Sequence, residues 1–147
     1  MKAQSLIGSL EQYPLQADEW CANCSIILLS TGTNSFDGDD LDTPVGDLYN
    51  LSRATLDSQF TDVVGDLEQG GAFSGTYFVG SNGSLEDASC TAKTVSELSD
   101  VEGVCAELPA LEGTYSVAGL AYYAKTQDIR ENIPGVQNVS TYTVDLA

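Results

Sequence analysis

Gly75-Thr76-Tyr77-Phe78-Val79 … Ala92-Lys93-Thr94 … Gly103-Val104 is followed along the chain by Gly113-Thr114-Tyr115-Ser116-Val117 … Ala124-Lys125-Thr126 … Gly135-Val136. Eight residues separate the Ala-Lys-Thr triplet from the Gly-Val pair in both stretches, and a valine stands two places after the tyrosine in both. The spacing predicts one β-α-β unit used twice, with an internal duplication over 73–107 and 111–147. Phe73, Tyr77 and Val79 alternate as a half-buried strand requires. In the second stretch Ser116, Ala118, Leu120 and Tyr122 line one face of an expected strand and Tyr115, Val117 and Tyr123 the other, apolar enough on both sides for a central position. Thr94, with Glu97 three residues on, predicts a capped helix whose stripe is Val95, Leu98 and Val101. Thr126 is the equivalent cap in the second stretch, followed by Asp128, Ile129 and Ile133 and stopped at Pro134-Gly135. A final strand is expected with Tyr142, Val144 and Leu146 on one face and Thr141 and Thr143 on the other.

Upstream, Ala3, Leu6, Ile7, Leu10 and Tyr13 recur at three and four residues, one face of a short helix from Lys2 to Tyr13 ended by Pro14. Such a stripe packs on a sheet or docks on a neighbouring subunit, and packing on the domain's own sheet is the expectation adopted. Ser25-Ile26-Ile27-Leu28-Leu29-Ser30 reads as a buried strand. Residues 31–46 form a polar loop, and a helix is expected from Asp47 to Val64 with Leu48, Leu51, Leu56, Phe60 and Val63 or Val64 inward. Gln69-Gly70-Gly71 turns the chain into its second half. These elements predict an α+β fold in the order α-β-α-β-α-β-α-β, an N-terminal helix plus repeated β-α-β units forming a mixed or antiparallel sheet with helices on one face. An all-β sandwich, with the short helices as loops, is the alternative. Without a proline-rich linker or low-complexity tract, residues 1–147 read as a single domain.

Charge bounds the function. Twenty-two acidic residues against five basic ones, with no histidine, give a net charge of −17. That surface repels phosphate backbones and anionic membranes, so no nucleic-acid partner is expected. No apolar run is long enough for a transmembrane helix. The start at Met1 shows no basic and apolar leader, so export would require that a signal was removed or that another route is used. Without histidine, no Ser-His-Asp triad, Cys-His dyad or histidine metal site can be built. Lys2, Arg53, Lys93, Lys125 and Arg130 are the only cations available to hold a developing oxyanion.

Cysteines and asparagines point to a compartment. Cys21, Cys24, Cys90 and Cys105 are an even set with three alternative pairings. Cys90 with Cys105 would brace the first unit, and Cys21 and Cys24 would otherwise reach across to them. A four-cysteine zinc site would need a second CxxC, which Cys90 and Cys105 do not supply. Two disulfides, and hence an oxidising compartment, are expected. Four of the six asparagines, Asn23, Asn50, Asn82 and Asn138, open an N-x-Ser sequon, the pattern of a glycosylated surface protein. Asp37, Asp39, Asp40 and Asp42 surround a glycine as hard oxygen ligands for calcium would, although Leu48 stands where an EF-hand places its distal glutamate. No cofactor beyond that calcium is expected.

Trp20-Cys21-Ala22-Asn23-Cys24 resembles the WCxxC motif of thioredoxin-like oxidoreductases. The resemblance implies a nucleophilic Cys21 thiolate at a helix N-terminus and Cys24 as the resolving thiol. That family places an apolar strand before the motif and a helix after it. Here Tyr13 to Glu19 is polar and Ser25 to Leu29 reads as a strand. The function expected from the whole is a non-enzymatic structural or assembly protein of an extracellular surface, a subunit of a filament, appendage, envelope or virion, partnered by itself or by other structural subunits. In layout, a helix followed by a cysteine-braced, sheet-rich domain is similar to pilin headpieces. The alternatives are a thiol-disulfide oxidoreductase using Cys21 and Cys24 and a calcium-dependent binding module.

Overall fold

The computed structural model describes residues 23–30, 51–84, 86–105, 113–131 and 133–145. Within them the chain mixes helices with both parallel and antiparallel strands, as an α+β protein does. The helix expected over Lys2–Tyr13 and the aspartate loop lie outside the described residues.

Strand β1 (Cys24–Ser30) is the expected strand but it is not buried as expected, since Ile27 and Leu29 are exposed and only alternate residues turn inward; it pairs in parallel with β5 (Val139–Asp145), Cys24 opposite Val139 through Ser30 opposite Asp145. Between them, Ser52 caps α1 (Arg53–Leu56), its hydroxyl accepting from the Thr55 N–H at 3.2 Å. The helix widens to a π-helical stretch (Asp57–Thr61) and continues as α2 (Asp62–Gln69). It ends at Gly70, whose N–H bonds back to Leu67 at 3.2 Å. Leu51, Leu56 and Phe60 are buried as expected, but the helix starts at Arg53, where Ser52 caps it, rather than at Asp47, and it runs past Val64 to its left-handed cap at Gly70.

Strands β2 (Gly75–Asn82), β3 (Glu86–Val95) and β4 (Val101–Val104) form an antiparallel sheet in the order β3-β2-β4. The first Ala-Lys-Thr triplet therefore lies in the returning strand of a hairpin, and Thr94 caps no helix. The decisive signal is Asn82-Gly83: Gly83 takes φ +79°, Asn82 Oδ1 accepts from the Ser84 N–H at 3.2 Å, and its Nδ2 donates to the Thr94 carbonyl at 2.8 Å. Once the chain reverses there, Lys93 and Val95 alternate inward with Thr94 outward, a period of two. Of the expected helix only a 3-10 turn (Leu98–Asp100) remains.

The second stretch also departs from expectation, in the opposite sense. Ser116–Thr126 is a helix, α3, where a central strand was expected. Alanine, leucine and lysine favour helix there, and Thr114 Oγ1 accepts from the Ser116 N–H at 3.1 Å at its start. Thr126 ends this helix instead of capping the next, its hydroxyl donating to the Tyr122 carbonyl at 2.8 Å. Residues 127–131 and 133–138 are irregular, tied by Asp128 Oδ1, which accepts from the N–H groups of Arg130 and Gln137, both at 3.1 Å. The two stretches thus share residues but not structure, and the β-α-β repeat is replaced by a hairpin and a helix.

Two clusters form the core. Leu51, Leu56 and Phe60 pack with Leu120, Tyr122 and Tyr123, while Val79, Val95 and Val101 pack with Phe73, Tyr77, Val104 and Tyr115. The Phe60 and Tyr123 rings meet edge to face at 5.0 Å, a geometry that contributes about 0.5–1.5 kcal/mol beyond burial. Gly119 lets α3 touch the π-helical stretch directly: a Cβ there would meet Thr61 Oγ1 and lie 2.9 Å from the Thr61 nitrogen. Gly119→Ala is expected to destabilise the protein by about 1–3 kcal/mol, read as a lower urea midpoint, because backbone must move to admit one methyl group.

Candidate functional site

The best-defined feature is the cross-braced antiparallel sheet. Cys90 and Cys105 are joined by a disulfide with Cα atoms 5.9 Å apart. They neighbour Thr91 and Val104, the two residues that flank Val79 on either side of β2. Next-nearest strands of a flat sheet lie about 9–10 Å apart, so β3 and β4 curl toward each other over β2. The curl coincides with the irregularity in the β2–β3 ladder between Val79 and Ser81. Lys93 occupies that place, 4% exposed, its ammonium donating to the Val79 carbonyl at 2.9 Å, the Ser89 carbonyl at 2.8 Å and Thr91 Oγ1 at 2.8 Å. One bridge settles one pairing: Cys21 and Cys24 do not reach across to Cys90 and Cys105.

A second feature is acidic. Arg53 Nε bonds Asp57 Oδ2 at 3.3 Å, and its second amino group lies 3.7 Å from Glu102 Oε1, tying α1 to β4. Asp57 Oδ1 is buried without a hydrogen-bond partner. Burial pushes the Asp57 carboxyl above its ordinary pKa against the pull of Arg53, with Asp62 adding to the rise. Asp100 is raised by burial and then by Asp62, which itself accepts the Ser99 N–H at 2.9 Å. Among the described residues no group of acids or cysteines is gathered to hold a metal ion.

The residues singled out in the sequence fall as follows. Cys21, Asn50, Asp37, Asp39, Asp40 and Asp42 lie outside the described residues. Cys24 opens a strand, whereas the thioredoxin resemblance requires a helix after its motif. Asn23 and Asn138 are exposed and, one residue ahead of the paired Cys24 and Val139, sit side by side at the same end of the parallel pair. Asn82 is committed through both side-chain polar atoms to the hairpin. Lys93 carried no signal beyond its type, because a buried ammonium is recognised only once the hairpin register is known.

Residues 4–124 match the family model described as "PilY1 homolog, second domain", and the chain belongs to that family. No curated protein and no solved structure shows significant similarity to it. Family membership and the Cys90–Cys105 bridge together point to a pilus-related or extracellular role. Among the described residues no helix is long and apolar enough to cross a membrane.

Two outcomes follow from this geometry. The bridge closes a loop with a sequence separation of 15, so Cys90→Ala/Cys105→Ala is expected to cost about 3 kcal/mol in urea unfolding. The raised Asp57 pKa means that the folded state holds its proton more tightly than the unfolded chain. This contribution to stability is full at acid pH and is lost as pH rises through the window above the ordinary aspartate pKa. Asp57→Asn should therefore gain stability relative to the parent across that rise. A variant that loses ground instead would show that the Arg53 ion pair outweighs burial.

Proposed function

We propose that this chain is a non-enzymatic structural module of a pilus-associated protein at the cell exterior, acting through contacts with itself or with other structural subunits. The match over residues 4–124 carries the reading. Two properties support it. The disulfide-braced sheet suits an oxidising, extracellular setting. The chain also lacks histidine, and its charge of −17 disfavours nucleic acid and anionic membranes as partners. Among the described sequons Asn23 and Asn138 are exposed and are the ones a glycosylating source would reach.

The test is an in-frame deletion of this segment in the gene of the source organism, with surface filaments counted by electron microscopy. Loss or shortening of filaments, restored by supplying the intact gene, is the expected result. Filaments of parental number and length would overturn the reading.

A further inference from the structure

Hydrogen bonds at the turn between β2 and β3 converge on one asparagine amide. Asn82 Oδ1 accepts from the Ser84 N–H at 3.2 Å, and Asn82 Nδ2 donates to the Thr94 carbonyl at 2.8 Å. These two contacts fix which way the amide points, since only its oxygen can accept and only its nitrogen can donate. Beside it, the Gly83 N–H donates to Ser81 Oγ at 3.2 Å. A bond from the Gly83 nitrogen to Asn82 Cγ would close a succinimide ring. Gly83 has no side chain to obstruct that closure, and it is exposed to water.

We propose that Asn82 is a self-modification site, its amide converted through a succinimide into aspartate and isoaspartate with water as the only co-reactant. The Gly83 nitrogen attacks Asn82 Cγ, and its proton goes by way of the Ser81 hydroxyl and water to the departing amine. The N–Cγ bond forms, the Cγ–Nδ2 bond breaks and ammonia leaves. Water then opens the ring at either carbonyl, giving aspartate or, with one more carbon in the main chain, isoaspartate. Each hydrogen bond meets an atom whose charge changes along this path. The Ser84 N–H faces the oxygen that gains negative charge, Ser81 Oγ faces the nitrogen that sheds its proton, and the Thr94 carbonyl makes the leaving nitrogen more basic. Groups already held in place at a reacting centre raise its rate. The other described asparagines are placed differently: Asn23 and Asn138 precede Cys24 and Val139, whose side chains crowd the attacking nitrogen and which are already paired in the parallel strands.

The product is held less well than the amide. A carboxylate has no hydrogen to give the Thr94 carbonyl. Asp100 also lies against this turn, its Oδ1 2.6 Å from where a Cβ on Gly83 would stand. Two like charges would then share the reversal that begins the hairpin, so conversion loosens the β2–β3 ladder from its turn.

The experiment incubates the full chain in mildly alkaline buffer, folded and in urea, and follows each asparagine peptide by mass spectrometry, with isoaspartate-specific methyl transfer marking the isomer. The Asn82 peptide of the folded chain should gain about one mass unit, about tenfold faster than in urea. The Asn23 and Asn138 peptides should keep their mass over the same period. The converted chain should then unfold in urea with a folding equilibrium constant about tenfold below the parent's. An Asn82 peptide of unchanged mass, conversion no faster folded than unfolded, or equal conversion at Asn23 or Asn138 would overturn the proposal. A converted chain as stable as its parent would overturn the consequence for the hairpin.

Discussion

The contact between Gly119 and the backbone of Thr61 is the joint on which the two sheets depend. α3 reaches β5 on one side and the π-helical stretch on the other, so the parallel pair is attached to the body through this helix. From Thr61 the connection continues along α2 to Asp62, which holds the Ser99 N–H, and so to the turn that enters β4. A side chain at position 119 would push α3 away from Phe60 and loosen Tyr122 and Tyr123 from the same cluster. Thr61 is fully buried and donates its hydroxyl back to the Leu56 carbonyl, so its own polar group is satisfied where α3 meets it. Close approach and polar satisfaction together make the crossing tight.

What could be read in the sequence depended on how local the deciding signal was. The strand at Ser25–Leu29, the buried positions Leu51, Leu56 and Phe60, the turn at Gln69-Gly70-Gly71 and the strand around Tyr142 follow from short-range pattern, and the structure has all of them. The repeat failed because identical triplets were given the same role. Ala92-Lys93-Thr94 follows an Asn-Gly reversal and is drawn into a ladder with β2, while Ala124-Lys125-Thr126 ends a run of helix formers packed on Phe60. Tertiary context overrides a weak propensity in both cases. Asn82-Gly83 was the available clue. Its sequon marks a turn at the surface, and its hairpin chemistry decides the fold.

The site was less legible than the fold. Disulfide connectivity is geometric, and four cysteines leave it open until β3 and β4 are seen to curl together. The raised pKa of Asp57 depends on burial beside Asp62, two acids separated by a π turn that no helical periodicity announces. Lys93 is the clearest case: in a chain this acidic a lysine is expected at the surface, yet its ammonium is held by oxygens of β2 and β3 where the ladder slips. Its charge is thereby spent inside the sheet, which leaves the outer surface more acidic than the residue count suggests.

The parallel pair joins segments from opposite ends of the chain, Cys24–Ser30 with Val139–Asp145. Its closure waits on everything between, whereas the β2–β3 hairpin needs only its own turn. The hairpin therefore carries the smaller loop-closure cost and the parallel pair the larger. A pulling force applied at the two termini would act on β1 and β5 in the same register, and would part them before it reached the disulfide-braced sheet.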